Sequence, residues 1–146
     1  MTTTRHELYI ATTADRLWAA LTENDVRRQW WRGHTIESDW TPGGKVTTYL
    51  PDGRVELTGT ILDADRPRLL AYEGTVEMIP DEPSRLTFNI EAFPSMVRLT
   101  VSYEAGEKLT ELASGGWPAV LSSLKSLLET GRPLPLDEVF GEARPT

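Results

Sequence analysis

The sequence predicts an α+β domain: a curved antiparallel sheet of six or seven strands wrapped around a long C-terminal helix, with two short helices after the first strand. Three observations carry this. Period-two alternation of apolar and polar residues runs from Thr35 to Ala105, broken repeatedly by turn residues. One strong helical stripe follows it: Trp117, Val120, Leu121, Leu124, Leu127 and Leu128. Ahead of it, two short segments with helical spacing lie between Thr12 and Trp31.

Each element has its own signal. "HELYIAT", from His6, reads as the first strand. In "TTADRLWAALTEN", Thr12 to Asp15 fits a capping box, and Leu17, Trp18 and Leu21 form an apolar stripe. A second helix is predicted from Asp25 to Trp31, started by Thr22 or Asn24 and stopped by Gly33. "HTIESDW" is the next strand, ended by the break "TPGG". "KVTTYL" and "RVELTGTIL" flank Pro51-Asp52-Gly53, a hairpin with Pro51 at its first central position. Val55, Leu57 and Ile61 point one way, and Gly59 on the same face predicts a bulge or bend. "RPRLLAYEGT" follows the turn at Asp65-Arg66-Pro67. "SRLTFNIEAF" turns Leu86, Phe88, Ile90 and Ala92 inward, and "MVRLTVSYEA" does so with Val97, Leu99, Val101 and Tyr103. The other face of such a sheet is solvated.

The final helix has Pro118 in its first turn, Gly131 after its last, and Pro133 to forbid continuation. Its stripe needs a partner, and the concave sheet is the only large apolar one. A strongly curved sheet and a straight helix mate imperfectly, which leaves a cavity. Residues 1–131 read as one domain. Residues 132–146 read as a proline-containing tail, ordered only if it docks.

Composition narrows the function. A chain of 146 residues fits one domain, and 39% hydrophobic with 25% charged residues fits a globular one. The net charge of −7 argues against a nucleic-acid partner and, less strongly, against an anionic membrane surface. With no cysteine there is no disulfide, thiol nucleophile or thiolate metal site. "MTTTRHELYI" has no apolar signal core and no apolar run spans a bilayer, so the cytoplasm is the expected location.

Four local patterns, in order, carry a resemblance: "DRLWAALT" (Asp15 to Thr22), "VRRQWW" (Val26 to Trp31), "ESDWTPGGKV" with Asp39, Gly43 and Gly44, and a final helix opening on Gly116-Trp117 with Leu121, Leu124 and Leu128. From Glu7 to Gly131 the chain resembles the START-like superfamily, also called SRPBCC or birch-pollen-allergen-like. It is most similar to the branch named after the activator of the 90-kDa heat-shock protein ATPase. Pro118 departs from that pattern, harmlessly in a first turn. The resemblance implies the helix-grip fold and an apolar cavity between sheet and long helix. It does not fix function, because the superfamily holds lipid carriers, polyketide cyclases, hormone receptors and chaperone activators.

The residues name no catalytic constellation. His6 and His34 have no second histidine at helical metal spacing, so no metal is expected. There is no GxSxG elbow, and Gly43-Gly44-Lys45 lacks the rest of a phosphate-binding loop, so no cofactor is expected. Glu37, Asp39, Asp63, Asp65, Glu77, Asp81 and Glu82 sit near turns and read as solvated surface. His34 reads first as a partly exposed loop histidine. Its functional role would be that of a polar group at a cavity mouth beside Trp31 and Arg32.

Trp18 and Trp117 belong to apolar stripes and read as core. Trp30 and Trp31 are about 100° apart around a helix, so one packs inward and the other edges the cavity; the family pattern makes Trp30 the structural one. The candidate ligand-binding residues are Trp31 and His34 at the mouth; Tyr49, Tyr72, Met78, Phe88 and Ile90 on the sheet; and Trp117 and Leu121 on the final helix. Each singly is also explained as core. The expected function is binding of a small apolar or amphipathic molecule. The rivals are a cyclase- or hydrolase-like enzyme using the same cavity, and a co-chaperone-like protein-interaction module of the stress response. Direct chaperone ATPase stimulation is not expected, because this chain resembles only the C-terminal part of the two-domain eukaryotic activator. A homodimer stays open.

Overall fold

The computed structural model describes residues 1–141. β1 (Thr2–Ile10) leads into α1 (Ala14–Thr22) and α2 (Asn24–Trp30). Six strands follow: β2 (Thr35–Ser38), β3 (Lys45–Tyr49), β4 (Val55–Asp65), β5 (Leu69–Val76), β6 (Ile79–Ala92) and β7 (Val97–Ala105). The chain continues with α3 (Glu107–Ser114), α4 (Trp117–Thr130) and α5 (Asp137–Phe140). The strands form one antiparallel sheet in the order β1-β7-β6-β5-β4-β3-β2. This is the α+β, helix-grip arrangement that the sequence predicts.

The early helices are anchored differently from the sequence reading. Thr13, not Thr12, caps α1, accepting from the Arg16 N–H at 3.2 Å. α2 has no side-chain cap. Thr22 spends its hydroxyl on the Trp18 carbonyl, and the Asn24 amide clamps both backbone groups of Ile36 at 2.9 Å each, tying α2 to β2. After Trp31 the backbone turns left-handed at Arg32 (φ 53°) and Gly33 (φ 81°), which reverses the chain into β2.

The hairpin around Pro51 forms as expected, with the Gly53 N–H donating to the Leu50 carbonyl at 2.9 Å. Gly59 serves close approach rather than a bulge. It pairs with Gly74 across β4 and β5, and a Cβ on Gly59 would stand 1.8 Å from the Glu73 carbonyl oxygen. The irregularities lie elsewhere. Thr48 pairs with Leu57 and Tyr49 with Val55, leaving Glu56 as an extra residue in β4, and a second shift falls between Ile61 and Asp63. Ala92, read as inward, is exposed at the end of β6.

Two helices have no counterpart in the sequence reading. α3 is short, and its N-terminal turn is held from a distance: the Glu82 carboxylate accepts from the Leu109 N–H at 3.0 Å. Glu82 is therefore a helix-capping group rather than mere solvation. α5 lies in the tail. The tail runs back along α4, with the Leu134 N–H donating to the buried Ser123 hydroxyl at 3.0 Å and Leu136 buried in the core. Residues 142–146 of the tail lie outside the described residues.

The α4 stripe enters one continuous buried cluster with Phe88, Ile90, Leu99 and Val101 of the sheet. Among the described residues, no helix is long and apolar enough to cross a membrane.

Candidate functional site

α4 and the sheet meet tightly at the C-terminal half of the helix and part at its N-terminal end. A cavity of about 600 Å³ opens there. Trp117 and Val120 of α4 form one wall, with Ala113 of α3 and the Gly115-Gly116 link beside them. Leu57, Tyr72, Val76, Leu86 and Tyr103 of the sheet form the opposite wall. Val139 and Phe140 of α5, with Leu112 of α3, edge the cavity.

The two adjacent tryptophans divide as geometry requires. Trp30 is 0% exposed and donates its Nε1–H to the Ala20 carbonyl at 2.8 Å. Trp31 is half-buried and lines the cavity, edge-on to Trp117 with ring centres 5.2 Å apart. Tyr103 continues the aromatic row, its ring centre 6.1 Å from that of Trp117. Such rings give a ligand large contact area with little entropy to lose.

A polar cluster is set into these walls. His34 Nδ1 lies 3.0 Å from Glu56 Oε1, and the Thr48 hydroxyl donates to the same oxygen at 3.2 Å. Beside it stands Arg27, 1% exposed. Its guanidinium carbon sits 4.0 Å from the Trp31 ring centre, and Nη1 donates to the Leu21 carbonyl at 2.8 Å. Burial lowers the Arg27 pKa, opposed by Tyr72 and then Glu56, yet an arginine stays charged in any protein. Burial pushes the Tyr72 phenol up, opposed by Arg27, and likewise raises Tyr103. Both tyrosines are therefore neutral hydroxyls that can donate.

Among the residues singled out from sequence, the structure brings Trp31, His34, Tyr72 and Trp117 to the cavity. It does not bring the other five. Tyr49 faces away from the cavity, its hydroxyl donating to Glu37 at 3.3 Å. The period of two explains this: Val46 is buried, so Thr48 shares its face and Tyr49 takes the opposite one. Met78 is 76% exposed at the tip of the turn joining β5 to β6. Phe88, Ile90 and Leu121 are buried core, away from the cavity lining, in the part of the interface that helix and sheet fill themselves.

The polar members Arg27, Thr48 and Glu56 escaped sequence reasoning. Thr48 was legible from Val46. Glu56 was not, because strict alternation with Val55 and Leu57 sends it outward and only the register shift re-aims it. Arg27 carries no sequence signal, because an arginine is almost never fully buried unless it is paired. No group of three or more histidine or carboxylate side chains among the described residues is placed to hold a metal ion.

The family model described as "Activator of Hsp90 ATPase homolog 1-like protein" matches residues 11–129. No curated protein matches the chain in sequence. Protein MLL2253 from Mesorhizobium loti superposes with a TM-score of 0.74 at 21% identity, covering 87% of this chain and 96% of its own. CalU16 from Micromonospora echinospora gives 0.73 at 19% identity, covering 97% and 82%. The Aha1 dimer from Colwellia psychrerythraea gives 0.71 at 17% identity, covering 90% and 98%. At these identities the likeness is one of fold.

Proposed function

The chain belongs to the family of proteins like the activator of Hsp90 ATPase homolog 1, and from that premise we propose that it is a cytoplasmic binding protein for a small amphipathic molecule. The single observation that supports this is the cavity of about 600 Å³ at the N-terminal end of α4. That volume suits a drug-sized ligand, for which sites run from about 300 to 1,000 Å³. Its walls pair an aromatic and aliphatic lining with a small polar cluster, the division expected where shape gives affinity and a few groups give orientation.

Naphthylmethanol, an uncharged apolar probe, tests this when titrated into the protein and followed by tryptophan fluorescence. Saturable binding is expected, weakened at least about tenfold by Ala113→Trp, which fills part of the cavity. Native mass spectrometry of the purified protein searches for the natural occupant. Absence of saturable binding by the probe, together with no co-purified molecule, refutes the reading.

A second reading rests on the pair of His34 and Glu56. A carboxylate holding one ring nitrogen of a histidine at 3.0 Å is the geometry of an oriented acid–base group. If the protein transforms its ligand, His34→Ala abolishes turnover while leaving ligand affinity within about threefold. An affinity loss that accounts for the whole effect refutes the enzymatic role.

A further inference from the structure

Arg27 is the only charged side chain in the buried set of the described residues. It is also incompletely satisfied. Of its five N–H groups, Nη1 reaches the Leu21 carbonyl, a further contact goes to the Tyr72 hydroxyl, the face rests on Trp31, and the buried Nε has no partner. No ion pair joins it to a carboxylate among the described residues. The nearby Glu56 already accepts from His34 and Thr48 through one oxygen. A buried cation whose nearest carboxylate acts on it only from a distance, with no direct ion pair, is costly to hold, and such a group in a cavity is a candidate for ligand contact. Arg27 lines the cavity, so a ligand can reach it.

We propose that Arg27 anchors the carboxylate of a monocarboxylic ligand whose apolar body fills the cavity. The planar guanidinium fits a carboxylate in two-point fashion, and its stacking on Trp31 fixes the plane in advance. Tyr72, a neutral hydroxyl beside the guanidinium, supplies a further donor. A phosphate is disfavoured, because Glu56 on the same wall repels a second negative charge. The chain as a whole is acidic at −7, so a preference for an anion comes from the local cations, Arg27 within the cavity and Arg32 at its edge, and not from the protein's general field.

This inference rests on the cavity being a ligand site, and the test separates the two. Naphthoate and naphthylmethanol share an apolar body and differ in charge. Naphthoate is expected to bind the wild-type protein about tenfold to a hundredfold more tightly. Arg27→Met is expected to erase that difference, whereas Arg27→Lys keeps part of it. Equal binding of the two probes to wild-type protein overturns the anchor while sparing the cavity. So does discrimination that persists in Arg27→Met. Tighter binding of naphthyl phosphate than of naphthoate overturns the carboxylate assignment. Failure of both naphthyl probes to bind overturns anchor and cavity together. Arg27→Lys is the second variant should Arg27→Met misfold: a naphthoate preference there equal to that of wild type overturns the two-point anchor.

Discussion

The guanidinium of Arg27 lies over the indole of Trp31 at 4.0 Å, while Trp30, its neighbour in the chain, packs its ring 4.9 Å from that of Trp31 and bonds to the Ala20 carbonyl. One helical step thus separates a side chain that holds α1 to α2 from one that faces the cavity. The two positions should respond differently to truncation. Trp30→Ala is expected to cost about 3–5 kcal/mol, the range for a fully buried large aromatic. Trp31→Ala, half-buried, is expected to cost about 1–2 kcal/mol and to weaken naphthylmethanol binding more than Trp30→Ala does. Urea unfolding and the fluorescence titration measure both, and equal stability losses would contradict the division.

The same pair shows what was legible in the sequence. Helical geometry separates Trp30 from Trp31, because a fixed rotation per residue leaves no choice, and the family pattern says which of the two packs inward. The succession of strands along the chain and the α4 stripe are legible for the same reason: each repeats a period over many residues. α3 and α5 carry too few turns to show one, and α3 depends on Glu82, distant in sequence. Of the five sheet residues expected to line the cavity only Tyr72 does; Tyr49 lies on the other face of β3, whose parity the buried Val46 sets. The polar half was hidden by an irregularity. Glu56 faces the cavity only because β4 carries an extra residue there, and no local pattern announces that shift.

Where β4 crosses β5, Gly59 and Gly74 lie opposite each other with no room between the backbones. Gly59→Ala places its new carbon 1.8 Å from the Glu73 carbonyl oxygen, so the strands must separate in the middle of the sheet. The expected loss exceeds about 4 kcal/mol, or the protein fails to accumulate in folded form. Gly115 makes the contrast. It has helical angles (φ −81°, ψ −21°), and an added Cβ meets nothing within 4 Å. Gly115→Ala is therefore expected to stabilise by about 0.4–1 kcal/mol through the unfolded chain. Thermal melts of the two variants test the pair, and a tolerated Gly59→Ala would mean the sheet is looser than drawn.

Acid should loosen the junction of α4 with β1. Glu129 accepts from the Lys125 ammonium and from the Ala11 N–H, each at 2.8 Å, and these contacts hold its carboxyl below the ordinary glutamate value. The folded state therefore binds this proton less readily than the unfolded chain. The stabilisation is complete above the unfolded value of about 4.3 and is lost as pH falls through the lower folded value. Glu129→Gln removes that dependence. The melting temperature of wild-type protein is expected to exceed that of the variant near neutral pH, with the gap closing toward about pH 3. A gap that is independent of pH would assign the contact to packing rather than charge.

The tail contributes to core and cavity through different residues. Leu136 is buried against the core, so Leu136→Ala is expected to destabilise by about 2 kcal/mol with little effect on ligand release. Phe140 sits at the cavity edge with the Arg32 guanidinium 4.1 Å from its ring centre. Removing that ring opens one side of the cavity without emptying the core. Phe140→Ala is therefore expected to leave stability within about 0.5–1 kcal/mol of wild type and to speed naphthylmethanol release several-fold, since changes within one site act mainly on dissociation. Stopped-flow displacement reads the rate directly. Release at the wild-type rate would show that α5 borders the cavity without closing it.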